Sequence, residues 1–184
     1  TLVITHGVDT ELFKPDKSIE REDHALSVVN DWINRDWCCG FNIWQNVIKD
    51  LPHRVLGDTP GLSEPASSTQ DLVSAYQSSR IFLNTSTISP IPTVLLEAMS
   101  CGCAVVSTET CMIPEVIEHG VNGFMSNDEN ELKQYVVDLL NDEDLAKQMG
   151  EAARETIVKR FSVDKFASKW DFILHSASKK VFLG

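Results

Sequence analysis

The segment Arg80-Ile-Phe-Leu-Asn84, continuing through Thr85-Ser-Thr-Ile-Ser89-Pro-Ile-Pro92 and Thr93-Val-Leu-Leu-Glu97-Ala-Met-Ser100 to Cys101-Gly-Cys-Ala-Val-Val106, decides the fold. Its first five residues form a short apolar run of the kind found in a buried strand. Pro92 suits the first turn of a helix, where a missing N–H loses no bond. The apolar residues after it predict a helix to Ser100, and Cys103-Ala-Val-Val106 reads as a second buried strand. Strand, helix and strand in close succession make a βαβ unit, which implies a parallel pair with a right-handed crossover.

The same alternation extends in both directions. Upstream, Ala25–Val29 reads as a strand, and Gly40–Leu51 as a helix with Phe41, Trp44, Val47, Ile48 and Leu51 on one stripe. Arg54–Leu56 reads as a strand, the stretch from Gly57 to Ser68 as a loop, and Thr69–Ser78 as a helix with Leu72, Val73 and Tyr76 inward. Downstream, Ile113–His119 reads as a short helix and Gly123–Met125 as a last short strand. Three helices should follow. Ser126 and Glu129 fit a capping box for the first, the second runs from Asp142 to Arg160, and Ser162 opens the third, whose apolar face is Phe166, Trp170, Ile173 and Leu174. The expected fold is one Rossmann-like α/β domain over residues 25–184, a three-layer α/β/α stack on a parallel sheet. Residues 1–24 do not look like the start of a fold. Thr1–Thr5 reads as a short strand, His6–Pro15 as a connector, and Lys17–His24 as an exposed charged stretch, together an edge segment outside the core.

Composition narrows the function. The chain has 184 residues, 42% of them apolar and 23% charged, the balance of an ordinary folded domain. Its net charge of −11 disfavours a nucleic-acid partner, so any phosphate site must be small and local. No uninterrupted apolar run approaches the roughly 18 residues of a membrane span, and no secretory signal pattern is visible. Cys38, Cys39, Cys101, Cys103 and Cys111 lack the paired spacing of a zinc site and read as reduced thiols in a cytoplasmic setting. No metal is expected.

In an open parallel sheet, ligands bind outside the carboxyl ends of the strands. The loops after Val29, Leu56, Asn84 and Val106 therefore matter most. The loop after Asn84 leads into a helix whose N-terminus would present N–H groups to a phosphate or a sugar hydroxyl. Glu97 lies one turn further in, among Leu95, Leu96, Ala98 and Met99. A carboxylate there needs donors, and the vicinal hydroxyls of a ribose are suitable ones; a surface position or a structural ion pair is the plainer alternative. Trp32 and Trp37 flank Arg35, where either indole could stack on a sugar or base or simply be packed away. Walker, Gly-x-Ser-x-Gly and dinucleotide-binding glycine motifs are absent.

The stretch Ser89-Pro-Ile-Pro-Thr-Val-Leu-Leu-Glu-Ala-Met-Ser-Cys-Gly-Cys-Ala-Val-Val-Ser-Thr108 resembles the donor-site segment of the family 4 glycosyltransferases. Ile113-Pro-Glu-Val-Ile117, His119-Gly-Val-Asn-Gly-Phe124 and His6-Gly-Val-Asp-Thr-Glu-Leu-Phe-Lys-Pro15 extend the resemblance over essentially the whole chain. It implies the C-terminal, nucleotide-sugar-binding half of a GT-B-type enzyme. Such an enzyme transfers a hexose from a nucleoside-diphosphate sugar to an acceptor hydroxyl, with retention and without a required metal or further cofactor. The donor and an N-terminal acceptor-binding domain are the implied partners, and without that domain the chain should be inactive. In this family the second Glu of the segment binds ribose, which is the position of Glu97.

The sequence departs from that pattern in several places. The family's first Glu, which contacts the donor sugar, is Ser89 here, and Pro90 and Pro92 stand where Gly-rich backbone normally donates N–H groups. Ile91 and Thr93 keep theirs. The family's diphosphate-gripping Lys, just before a Gly, is Cys39 before Gly40; its Arg would align with Asn34, one position from Arg35. The turn Cys111-Met-Ile-Pro-Glu115 lacks the family's Gly pair. Only Gly57 to Ser79 separates two strands between which the family has a further strand–helix unit that helps hold the base. The expected donor-binding residues are Arg35, Asn84, Thr85, Ser89, Ile91, Thr93 and Glu97, with no residue cast as a catalytic base. A glycosyltransferase-like binding or scaffold module that has lost donor chemistry is the alternative, supported by Ser89 and Cys39.

Overall fold

The computed structural model describes residues 3–181. The elements in chain order are β1 (Glu22–Val28), α1 (Asp36–Cys39), α2 (Phe41–Ile48), β2 (His53–Leu56), α3 (Thr69–Ser78), β3 (Ser79–Asn84), α4 (Thr93–Ser100), β4 (Ala104–Ser107), β5 (Phe124–Met125), α5 (Glu129–Asn141), α6 (Glu143–Arg160) and α7 (Val163–Val181). The strands form one five-stranded sheet in the order β2-β1-β3-β4-β5. Every pairing is parallel, as the strand–helix alternation requires.

Alternation along the strands builds the two apolar layers. Leu26, Phe82 and Val105 face one side, where Val73 and Tyr76 of α3, Leu95, Leu96 and Met99 of α4, and Ala153 and Ile157 of α6 cover them. Ala25, Ile81, Leu83, Ala104 and Val106 face the other, against Trp44 and Val47 of α2 and Leu132, Val136 and Leu139 of α5. Period two in the strands and the stripes on the helices thus give the Rossmann-like three-layer stack.

The N-terminal segment differs from the expected edge arm. Thr1 and Leu2 lie outside the described residues, and Val3–Thr5 carry no strand. β1 begins at Glu22, three residues before the expected domain start at Ala25. Val8 and Phe13 are buried in the core, and the Phe13 ring meets Tyr76 edge-on at 6.1 Å. Arg154 binds the connector from α6, donating to the carbonyls of Phe13 and Thr10 at 2.8 Å each.

Three further expectations need correction. The helix expected over Ile113–His119 is a single 3₁₀ turn, Ile113–Glu115. The capping residue of α5 is Asp128, whose Oδ1 accepts from the backbone N–H groups of Asn130 and Glu131 at 2.7 and 3.2 Å. Because α5 starts at Glu129, that residue is too early in the first turn to close a capping box; Glu131 instead accepts from the Ser126 hydroxyl at 2.5 Å. Finally, the apolar stripe of α7 does not join the core: Trp170 is 44% and Leu174 61% exposed.

Candidate functional site

Three loops meet at the carboxyl ends of β1, β3 and β4. The loop after β1 ends in the short helix α1, with Arg35 as its N-terminal cap residue. Gly40 then turns the chain into α2 with φ of +65°. Only a glycine fits this turn, because a Cβ would lie 2.0 Å from the Thr85 carbonyl oxygen as well as in a left-handed backbone. That close approach joins the β1 loop to the β3 loop. The Cys38 carbonyl accepts from the N–H groups of Thr87 and Ile88 at 2.9 and 3.1 Å. The Thr85 hydroxyl bonds the Cys39 and Gly40 carbonyls at 3.2 and 2.9 Å.

The β4 loop holds the other flank. Thr108 and Thr110 hydroxyls donate to the Ser86 carbonyl at 2.5 and 2.8 Å, and Met112 N–H donates to the Pro90 carbonyl at 3.1 Å. The loop leading into α4 is therefore fixed on both sides. Asn84 and Thr85, both expected among the donor-binding residues, are buried with their side chains bonded within the chain: the Asn84 side-chain amide donates to Ser107 Oγ at 2.8 Å and its Oδ1 accepts from Ser86 Oγ at 2.9 Å. Ile91 is buried as well, in the core cluster under α4.

The remaining candidates face outward. Ser89 is half-buried, Thr93 is exposed, and Pro92 caps α4. The first α4 N–H bonded back within the chain is that of Leu95, to the Pro92 carbonyl at 3.1 Å, so the first turn presents the Thr93 and Val94 N–H groups. Arg35 is exposed, its guanidinium 3.4 Å from the Asn30 carbonyl. Its neighbour Cys39 stays a neutral thiol: burial, then the hydrogen bond with Cys38, push it up to about 11 against the pull of the Arg35 charge. It adds no negative charge beside Arg35.

Glu97 is half-buried on the second turn of α4. Its Oε2 accepts a 3.0 Å hydrogen bond from the hydroxyl of Tyr76, which is fully buried on α3. Burial raises the Glu97 carboxyl above its ordinary value, and the Tyr76 bond works in the opposite direction. Among the described residues, Oε1 accepts no hydrogen bond, which leaves one oxygen for a ligand donor. The pairing with Tyr76 was missed in the sequence, where Tyr76 counted only as an inward-facing aromatic. Its one signal was its position on a helix stripe, which says nothing about the hydroxyl.

The two tryptophans part company. Trp32 is fully buried, its indole N–H donating to the Cys39 carbonyl at 2.9 Å and its ring 4.8 Å from that of Trp44. Trp37 is 69% exposed. His119 is structural: Nδ1 accepts from Met125 N–H at 3.0 Å, and its ring meets the stacked rings of Phe124 and Tyr135 edge-on. Among the described residues, no three His, Cys, Asp or Glu side chains are grouped to hold a metal, and no helix is long and apolar enough to cross a membrane. A cavity of about 630 Å³ lies at the opposite end of the sheet, before β1, β3 and β4. Its Arg21 and Arg154 are engaged with backbone carbonyls, and Lys17 and Lys147 also line it.

The comparisons agree with this fold. The glycosyl transferases group 1 model matches residues 65–156, half of the chain. N-acetyl-alpha-D-glucosaminyl L-malate synthase of Bacillus anthracis is 39% identical over 84 residues, which cover 45% of this chain and 22% of that protein. Alpha-maltose-1-phosphate synthase of Mycolicibacterium smegmatis is 34% identical over 106 residues, covering 53% and 27%. The structure of Anabaena HepE in complex with UDP superposes with a TM-score of 0.81 at 21% identity, over 96% of this chain and 57% of that one. Sucrose-phosphate synthase of Thermosynechococcus elongatus gives 0.84 at 17% identity, over 98% and 53%. The chain thus spans about a quarter of the length of these curated relatives and just over half of these solved chains. The match through α3, β3, α4, β4 and most of α6 shows that this chain belongs to the glycosyl transferases group 1 family.

Proposed function

We propose that the chain is the C-terminal, donor-binding half of a retaining GT-B glycosyltransferase. It takes a nucleoside-diphosphate sugar between the Arg35 loop and the N-terminus of α4, and the hexose passes to an acceptor hydroxyl when an N-terminal domain closes over it. The observation that carries the reading is Glu97: a half-buried carboxylate, fixed on one oxygen by Tyr76 and open on the other, one turn inside a helix that faces the ligand end of the sheet. Ribose hydroxyls supply donors for the open oxygen. The Thr93 and Val94 N–H groups and the Arg35 guanidinium meet the diphosphate and stabilise the charge that develops on it as the glycosidic bond breaks. Ser89 lies at the sugar end, while Asn84, Thr85 and Ile91 hold the loop in place. The donor is the substrate, with no metal or further cofactor required, and the isolated chain binds donor without transferring it.

Calorimetry with UDP, GDP and ADP tests the reading. Weak but selective binding of one nucleotide supports it; HepE and its complex with UDP make that nucleotide the first to try. Equal, negligible heats for all three, with the full-length protein also silent, would favour the second reading, a glycosyltransferase-like module without donor chemistry. Ser89 and the neutral thiol of Cys39 favour that second reading.

A further inference from the structure

We infer that Trp37 is a stacking platform for a pyranose ring at the rim of the α4 site. The inference rests on the donor-binding reading and extends it to the sugar. Trp37 is 69% exposed, unlike Trp32 and Trp44, which are packed in the layer beneath. An indole left in water forgoes the burial its large apolar surface would gain, so its exposed face on a structured turn is open to a ligand.

The backbone of Trp37 is tied to the loops of the proposed donor site. It sits on α1, two residues from Arg35, and a hexose is covalently attached to the diphosphate that Arg35 would hold. Its carbonyl accepts from the Thr87 hydroxyl at 3.0 Å, and the next carbonyl, of Cys38, accepts from the Thr87 and Ile88 N–H groups. The turn bearing the indole is therefore fixed to the loop that carries Ser89. Ile33 and Ile88, 47% and 60% exposed, add apolar surface on the same two loops.

The hydrogen-bonding groups of this rim are few. Pro90 and Pro92 have no N–H, and Ile91 is buried, which leaves Ser89 as the polar side chain of the loop between Ile88 and Thr93. A pyranose has an apolar face of C–H groups as well as hydroxyls. Those C–H groups carry partial positive charge and are attracted to the negative face of an indole, so a ring can be held where donors are scarce. The same chemistry suits the hexose of the donor or a sugar unit of the acceptor.

The test uses the ¹⁵N-labelled chain, with the Trp37 indole signal assigned by its loss in Trp37→Phe. The probes are UDP-glucose, UDP-N-acetylglucosamine and GDP-mannose, with UDP and GDP as sugar-free counterparts and methyl α-glucopyranoside as a sugar without a nucleotide. The expected result is that a nucleotide-sugar moves the Trp37 signal far more than its parent nucleotide. Trp37→Ala should then lose about three- to tenfold of affinity for the nucleotide-sugar and stay within about twofold for the nucleotide, with Trp37→Phe in between. A shift with the glucoside but no difference between nucleotide-sugar and nucleotide assigns the platform to an acceptor sugar. If the glucoside moves Trp37 while no nucleotide binds, the donor reading fails and the platform stands. If no sugar-bearing probe moves Trp37, the platform is overturned, and nucleotide binding in the same titrations would leave the donor reading intact.

Discussion

Tyr76 on α3 donates its phenolic hydrogen to Glu97 Oε2 on α4 at 3.0 Å, a bond between neighbouring helices on one face of the sheet. The phenol is fully buried and the carboxylate half-buried. The bond holds the carboxylate in one orientation and leaves its second oxygen open. A ligand then meets a preorganised acceptor, with less side-chain entropy to lose on binding.

The first prediction follows from that open oxygen. Glu97→Gln should fold and weaken nucleotide binding about tenfold to a hundredfold, the effect of losing a charge-assisted hydrogen bond of roughly 1.5–3 kcal/mol. Bare diphosphate, which has no ribose, should bind nearly as before. Titration of both ligands, with a melting curve on the same protein, separates this from a purely structural role, which would lower Tm and leave the preference for nucleotide over diphosphate unchanged.

Tyr76→Phe removes the hydroxyl and keeps the ring that packs against Phe13 and Phe82. A loss of about 1–3 kcal/mol in stability is expected, because the carboxylate loses a buried donor. If Tyr76 positions Glu97, the variant should also lose part of the nucleotide preference, and adding Glu97→Gln should cost little more of it. Additive losses in that double-mutant cycle would show two independent residues.

A third prediction concerns pH. Burial raises the Glu97 carboxyl above its unfolded value of 4.5, so between the two values the folded chain binds more protons than the unfolded one. The stability this group contributes is fully present below the unfolded value and is lost as pH rises through the folded one. Denaturant titrations across that window should show the loss in the native protein and not in Glu97→Gln. Ribose hydroxyls favour the charged carboxylate, so nucleotide affinity should move the opposite way and increase with pH through the same range. A nucleotide affinity that is flat there would argue against ribose at Glu97.

Arg35 is exposed, so its replacement should barely affect Tm. Arg35→Ala should weaken nucleotide and bare diphosphate alike, by about tenfold or more, because the charge meets the part the two ligands share. Arg35→Lys should recover part of the loss, since a point charge replaces a planar fork. An unchanged affinity for diphosphate in Arg35→Ala would place the phosphates elsewhere, on the α4 N–H groups alone.

Much of the fold was legible in the chain because its signals are local. The apolar runs in Ala25–Val29 and Arg80–Asn84, the stripe in Thr69–Ser78, and Pro92 before Thr93 each depend on residues close in the chain, and from β1 to α4 the expected strands and helices fall within a few residues of their bounds. The shift of the α5 cap from Ser126 to Asp128 shows the limit of that reading, since several side chains near one helix start can bond its N–H groups. The sequence by itself also placed the loops after Val29, Leu56, Asn84 and Val106 at one end of the sheet, because strand–helix alternation implies a parallel sheet and its carboxyl ends. Only the tertiary structure decided what each side chain there can do. Asn84 and Thr85 turn to Ser107 and to the Cys39 and Gly40 carbonyls, Trp32 is packed away while Trp37 stands in solvent, and Tyr76 reaches Glu97. On the stripe of α7, which reads like any core-facing helix, Phe166 and Ile173 are half-buried while Trp170 and Leu174 stay open. Periodicity along a chain sets which way a side chain leaves the backbone, whereas its partner comes from a distant segment and is chosen by how the layers pack.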